Sequence, residues 1–236
     1  TLVSKNAPKA KYQKKNVKKI SHYELIKKLE MSYDMHVKII NYCKQKKIKF
    51  LSSPFCIDSF NLLRKFNLDF IKIPSGEITN LPLLRHIRNF NNNIILSTGM
   101  SNVHEIKNAL KILKNKNRKI ILLHCNTEYP TPLDDINLNA MQILNKQFKL
   151  DVGYSDHSLG IQVPIIAASL GAKVIEKHFT ISKKMVGPDH VASLNPKELI
   201  SMVKAIRSTE IILGKGKKFV SKSEKKNILI ARKSLF

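Results

Sequence analysis

DVGYSDHSLG (151–160), then AKVIEKHFT (172–180) and MVGPDH (185–190), with an apolar run between the first two, decide the fold. Leu150–Tyr154 and Lys173–Ile175 read as short buried strands. Each ends in a polar cluster, Ser155-Asp156-His157 and Glu176-Lys177-His178. Ile161–Leu170 is Ala-rich and apolar enough for a packed helix, with Gly171 as its C-terminal cap. His157 and His178 therefore stand just beyond two successive parallel strands, where α/β proteins place their chemistry. Two imidazoles brought together there suit a divalent cation. The alternative is two ordinary loop histidines, since two ligands alone leave a site incomplete.

Working outward, the same alternation extends towards the N-terminus. Strand-like runs fall at Ile48–Leu51, Phe70–Ile73, Ile94–Leu96 and Ile120–Leu123, at the spacing of βα units. Helical patterns fill the gaps at Ser59–Phe66, Leu81–Phe90, Val103–Leu113 and Asn137–Phe148. Two more precede the first run, Ser21–Glu30 with a Ser21/Glu24 capping box and Tyr33–Lys47. A last helix opens at Asn195-Pro196-Lys197-Glu198, carries Leu199, Val203 and Ile206 at helical spacing, and stops near Gly214. All six strand ends carry polar or reactive residues: Ser52-Ser53, Ser75-Gly76-Glu77, Ser97-Thr98-Gly99, His124-Cys125-Asn126 and the two clusters above. An open doubly wound sheet concentrates function at one switch point. Six polar ends facing one mouth fit a (β/α)8 TIM barrel instead, and eight strands less six leaves the first two to precede Thr1. The start at Thr1 rather than Met suggests a processed or truncated chain. Residues 1–20 read as a loop, and 215–236 as a basic linker with a short helix from Ser223.

Composition narrows the function classes. The 236 residues are 43% hydrophobic, enough for a sizeable core. No apolar run approaches the roughly 20 residues of a membrane span. Three scattered cysteines without a CxxC suit a reducing cytoplasm. The net charge of +25 raises nucleic acid as a partner, but only six of the 42 basic residues are Arg and no nucleic-acid motif is present. A solvated basic surface that attracts anionic metabolites accounts for the charge more simply.

Chemistry concentrates in a few side chains. Lys72, inside the apolar strand FIKIPSGE (70–77), needs an anion in the lumen, either a ligand or a neighbouring acid. Ser75 and the Gly76 backbone would add hydrogen bonds, and Glu77 is a candidate base. Ser53 of SSPF and Ser97 of STGM place hydroxyls at strand ends, suited to phosphate oxygens or to plain N-capping. Tyr129 is either a loop packing residue or a hydrogen-bond donor to substrate. Asp189 would bond sugar hydroxyls or close an Asx-turn.

Taken together, LVSKNAPKAKYQ (2–13), KIPSGEITNLP (72–82), STGM (97–100), LLHCNTEYPTP (122–132), GYSDHSLG (153–160), EKHFT (176–180), GPDHVAS (187–193) and ARKSL (231–235) resemble the sialic acid synthase family. The wording is most similar to bacterial N-acetylneuraminate synthases, then to legionaminate synthases. The resemblance implies a cytoplasmic enzyme that condenses phosphoenolpyruvate with N-acetylmannosamine, or a 2,4-diacetamido relative, using Mn²⁺ or Mg²⁺. It implies His157 and His178 as metal ligands. Lys72, Ser53, Ser75, Ser97 and Ser155 would line the phosphoenolpyruvate site, with Glu77 as base. Asn126, Tyr129 and Asp189 would meet substrate. Ser53 stands where many members have Thr, Cys56 where an acid is common, and Thr127 where some have Asn. The resemblance also implies a homodimer at full length, and an antifreeze-like domain after residues 1–214 and the linker 215–236. A non-catalytic phosphosugar-binding barrel is the competing reading.

Overall fold

The computed structural model describes residues 3–10, 13–14, 17, 20–115 and 117–233. Five strands, β1 (Phe70–Ile73), β2 (Asn93–Ser97), β3 (Ile120–Cys125), β4 (Asp151–Asp156) and β5 (Ile175–Lys177), pair in parallel in sequence order. Helices α1 (His22–Leu29) and α2 (Tyr33–Gln45) precede the sheet. Then α3 (Ile57–Arg64), α4 (Leu81–Arg88), α5 (Val103–Leu113), α6 (Asn139–Phe148) and α7 (Gln162–Ser169) alternate with strands, and α8 (Pro196–Leu213) and α9 (Ile228–Ala231) follow. Sequential parallel order with right-handed crossovers puts every connecting helix on one face of the sheet. The other face is left to line an interior.

The helices start where their side chains dictate. Ser21 with Glu24, Asn102 with Glu105 and Asn195 with Glu198 form capping boxes, and Pro196 occupies the first helical position. On α8 the inward face includes buried Met202, while Val203 is exposed, one position off the expected stripe.

Register sorts the strand residues into two faces. Ile71, Ile73, Ile94, Leu96, Leu122 and Tyr154 face the helices in the main core. Ile95, Ile121 and Leu123 form a second cluster with Phe70 and Val174 on the opposite face. Lys72 pairs in register with Ile95, Ser97 with Leu123, Cys125 with Ser155, and Ser155 with Glu176, so these polar residues share that second face. Lys72 Nζ lies 3.2 Å from Glu176 Oε1, although β1 and β5 are the two edges of the sheet. Flat, at about 4.8 Å per strand, those edges would stand about 19 Å apart, beyond the joint reach of the two side chains. The sheet therefore curls into a half-barrel with the polar face concave.

The expected strand at Ile48–Leu51 does not form. Lys47 adopts φ 55° and the Ile48 N–H bonds Cys43 O at 2.9 Å, so the segment closes the end of α2. Ile48 is 65% exposed and has no ladder partner. Strand β5 also runs two residues later than its apolar run suggests.

Arg118 ties the helical layer together from a buried position. Its guanidinium donates to the carbonyls of Leu113 (2.7 Å), Ile87 (2.9 Å) and Phe90. These carbonyls lie at or just past the ends of α5 and α4, where helical partners run out. Arg118→Met should lower stability by about 2–4 kcal/mol, because buried acceptors lose their donor. Denaturant melts with an unchanged m-value would check it.

Candidate active site

The C-terminal end of the concave face carries two adjoining clusters. The first is built on Lys72, which is 8% exposed. Glu176 Oε1 meets Lys72 Nζ and accepts from Ser155 Oγ at 2.7 Å. Ser75, in the 3₁₀ turn after β1, accepts from the Gly99 N–H at 3.0 Å and lies 3.2 Å from Cys125 Sγ. A Cβ on Gly99 would sit within 3 Å of Ser75 Oγ, Cys125 Sγ and Thr127 Cγ2, so glycine lets this turn close. Ser97 is 2% exposed and its Oγ has no hydrogen-bond partner in the structure. Ser97 and Lys72 share the concave face of neighbouring strands, so a buried unpartnered hydroxyl and a buried ammonium whose present anion is Glu176 are both available to a bound anion.

The second cluster holds the two histidines. Their ring centroids are 5.3 Å apart at 72°. Tyr129 packs against His157 with ring centroids 4.1 Å apart and planes tilted by 30°, and meets the His178 ring edge-on at 5.4 Å. His157 Nδ1 is 2.5 Å from the Asn126 carbonyl, which only accepts, so Nδ1 carries the proton and Nε2 keeps its lone pair. Burial lowers the His157 pKa from the ordinary 6.5; the Asn126 hydrogen bond opposes this, His178 adds to it, and Asp156 and Glu176 oppose it. The neutral, ligating form is the one favoured. Asp189 Oδ2 lies 3.7 Å from His178 Nδ1, too far for a hydrogen bond, and its Oδ1 is buried without a partner. A parallel bridge between Phe179 and Leu194 folds the intervening loop, with Asp189, back over β5.

The ring separation is compatible with one divalent cation. An ion about 2.1 Å from a ring nitrogen lies about 3.2 Å from the ring centroid. Ligand angles of about 90–110° then place two centroids about 4.6–5.3 Å apart. The observed separation meets that condition. Among the described residues no group of three His, Cys, Asp or Glu surrounds a common point, so a cation here would take at most two ligands from this set.

The expected residues divide accordingly. Lys72, Ser75, Ser97 and Ser155 come together on the concave face, and His157, His178, Tyr129 and Asp189 gather beside them. Asn126 acts through its carbonyl on His157, while its side-chain Oδ1 accepts from the Glu128 N–H. Ser53 is half-buried in the loop before α3, with no hydrogen bond to this group among the described residues. Glu77 turns its carboxylate to Asn80 Nδ2 at 2.6 Å. The acid that meets Lys72 is Glu176, a role not assigned from sequence. Alternation puts Glu176 on the same face as His178, with Ile175 and Lys177 on the other, but does not reveal that this face meets Lys72.

A parallel half-barrel with a buried lysine and an imidazole pair at its strand ends defines the class: a (β/α)-type protein with its polar clusters at the C-terminal mouth. Comparison with known proteins gives the family. The NeuB family model matches residues 1–218. The N,N'-diacetyllegionaminic acid synthase of Campylobacter jejuni subsp. jejuni serotype O:2 is 52% identical over 237 residues, 99% of this chain and 71% of that protein. The enzyme of the same name from Legionella pneumophila subsp. pneumophila is 42% identical over 241 residues, 100% of this chain and 68% of that protein. The crystal structure of N-acetylneuraminic acid synthetase from Leptospira borgpetersenii serovar Hardjo-bovis, in complex with citrate, superposes with a TM-score of 0.82. It is 33% identical, over 93% of this chain and 77% of that one. The chain belongs to the NeuB family of sugar-acid synthases, the sialic acid synthase family.

Proposed function

We propose that the chain forms the catalytic part of a nonulosonic-acid synthase that joins phosphoenolpyruvate to an open-chain N-acetylated sugar. The observation that carries this reading is the buried Lys72 ammonium and unpartnered Ser97 hydroxyl beside the imidazole pair. Lys72, Ser75, Ser97 and Ser155, with Ser53 at the rim, would hold the phosphate and carboxylate of phosphoenolpyruvate. Asn126, Tyr129 and Asp189 would orient the sugar. His157 and His178 would hold Mn²⁺ or Mg²⁺. Such an ion supplies Lewis-acid polarisation of the sugar aldehyde. C3 of phosphoenolpyruvate then attacks the aldehyde carbon, water adds at C2, and phosphate departs with C–O cleavage. Glu77 is the proposed base towards that water, which requires its carboxylate to exchange Asn80 for the reaction centre. Glu176 would keep Lys72 and Ser155 aligned between turnovers.

The relatives at 52% and 42% identity favour a 2,4-diacetamido sugar over N-acetylmannosamine. The same reading closes the half-barrel into a (β/α)8 barrel with three further strands between the free edges of β1 and β5, one of which Ile48–Leu51 would supply once a neighbouring strand pairs with it. Ile48, Leu51 and Phe55 are exposed near the start of that part of the chain. Residues 1–214 would be the barrel part and 215–236 a linker to a further domain, in a cytoplasmic homodimer. No helix among the described residues is long and apolar enough to cross a membrane.

A substrate panel on the full-length protein tests the reading. Phosphate release and product mass are followed with phosphoenolpyruvate and either sugar, with Mn²⁺ or Mg²⁺ present. Release with the diacetamido sugar is expected. No release with any N-acetylated sugar would favour a non-catalytic phosphosugar-binding barrel. Lys72→Met should chiefly raise KM for phosphoenolpyruvate, and Glu77→Gln should lower kcat about 100-fold or more.

A further inference from the structure

Beneath the two histidines, on the helix side of the sheet, lies a buried ion pair that the proposed chemistry does not use. Asp156 and Lys177 are register partners at the ends of β4 and β5. Their side chains are 0% and 3% exposed, and Lys177 Nζ stands 2.5 Å from Asp156 Oδ2. The same ammonium donates to the Ser158 carbonyl at 2.5 Å, and Asp156 Oδ1 accepts from the Ser158 N–H at 2.9 Å. The network is closed: each member bonds the other two.

Its place in the chain gives it a consequence. Asp156 and Ser158 flank His157, and Lys177 immediately precedes His178. Side chains alternate across a strand, so a clasp on the helix side fixes backbone whose neighbouring imidazoles serve the mouth. Stability alone is a weak reason for such a pair. Taking both charges out of water costs about as much as their attraction returns, and an apolar pair of similar volume is often as stable or more so. A two-ligand metal site, by contrast, depends on the separation of its ligands.

We propose that Asp156 and Lys177 are positioning residues, a buried clasp that sets the separation of His157 and His178 for one divalent cation. The proposal rests on the metal reading above and adds residues that touch neither metal nor substrate.

The test measures Mn²⁺ alone binding to the full-length protein, by the loss of the free-ion electron paramagnetic resonance signal, alongside thermal melting. Two paired variants separate positioning from stability. D156L/K177M removes charge and hydrogen bonds while keeping volume; D156N/K177Q removes charge but keeps a hydrogen-bonding frame. The apolar pair should melt near the parent temperature yet bind Mn²⁺ about 10–100-fold more weakly, the effect typical of outer-shell changes. The amide pair should recover most of that affinity. Equal Mn²⁺ affinity in the apolar pair and the parent would overturn the clasp and leave the metal reading standing. An apolar pair that fails to fold would assign the ion pair to stability and also overturn it. A parent protein that binds no Mn²⁺ would overturn the metal reading itself, and the clasp with it.

Discussion

Gly153→Ala should push β5 away from β4 and disturb both clusters of the site. A Cβ at Gly153 would lie 2.2 Å from the Val174 carbonyl oxygen and 2.8 Å from Leu123 Cδ2. The first contact is with backbone, so no side-chain rotation relieves it. The Val174 carbonyl is also the acceptor for the Tyr154 N–H at 2.9 Å, one of the bonds that join β4 to β5. Relief must come from moving β5 away. Overpacking of this kind costs about 1–3 kcal/mol. The functional loss should be larger, because Glu176, Lys177 and His178 all ride on this segment. A misplacement of about 1 Å at reacting groups costs about 100-fold in rate. The expected result is a protein that still melts cooperatively at a lower temperature, with activity down about 100-fold. Gly76→Ala, whose Cβ would meet no atom within 4 Å, should melt like the parent. A Gly153→Ala protein with parental melting and activity would show that β4 and β5 do not approach this closely.

What the sequence made legible, and what it hid, follows from how local each feature is. The caps at Ser21 and Asn195 appear where read, because a cap is settled within four residues; the box at Asn102, of the same pattern, was not read. Val103–Leu113 forms over its expected span for the same reason. Ile48–Leu51 has strand composition but no strand, because pairing needs a partner that composition does not reveal. The polar ends of β4 and β5 were misplaced outwards. Ser155, Asp156, Glu176 and Lys177 look like loop, yet the ladder continues through all four. Hydrophobicity stops marking a strand where its inner face turns from core to site. Lys72 was legible as a lumen residue because an ammonium inside an apolar run needs an anion. That its partner is Glu176, on the far edge of the sheet, depends on the curl and so on the tertiary structure.

His157→Ala and His178→Ala should each abolish the activity that added Mn²⁺ restores to chelator-treated full-length protein, while the fold survives. The geometry gives the reason. The centroids stand 5.3 Å apart, and the Asn126 carbonyl holds the His157 proton on Nδ1, which leaves Nε2 free for an ion. On the proposed coordination, losing either imidazole halves the protein's share of the ligands. Outer-shell changes alone weaken metal affinity about 10–100-fold, so loss of a ligand should exceed that range. The stability cost should stay modest. His178 is partly exposed, and His157 gives up one hydrogen bond and its tilted ring contact with Tyr129, worth about 1–3 kcal/mol together. Circular dichroism and melting curves would separate unfolding from loss of the ion. His104→Ala is the control, since His104 is exposed in the first turn of α5 and makes none of the ring contacts that join His157, His178 and Tyr129. Restored activity in either site variant at parental Mn²⁺ concentrations would remove that histidine from the ion's coordination. Equal, undiminished activity in the chelated parent would remove the ion from the reaction altogether and leave Lys72 and the serines as the centre of the chemistry.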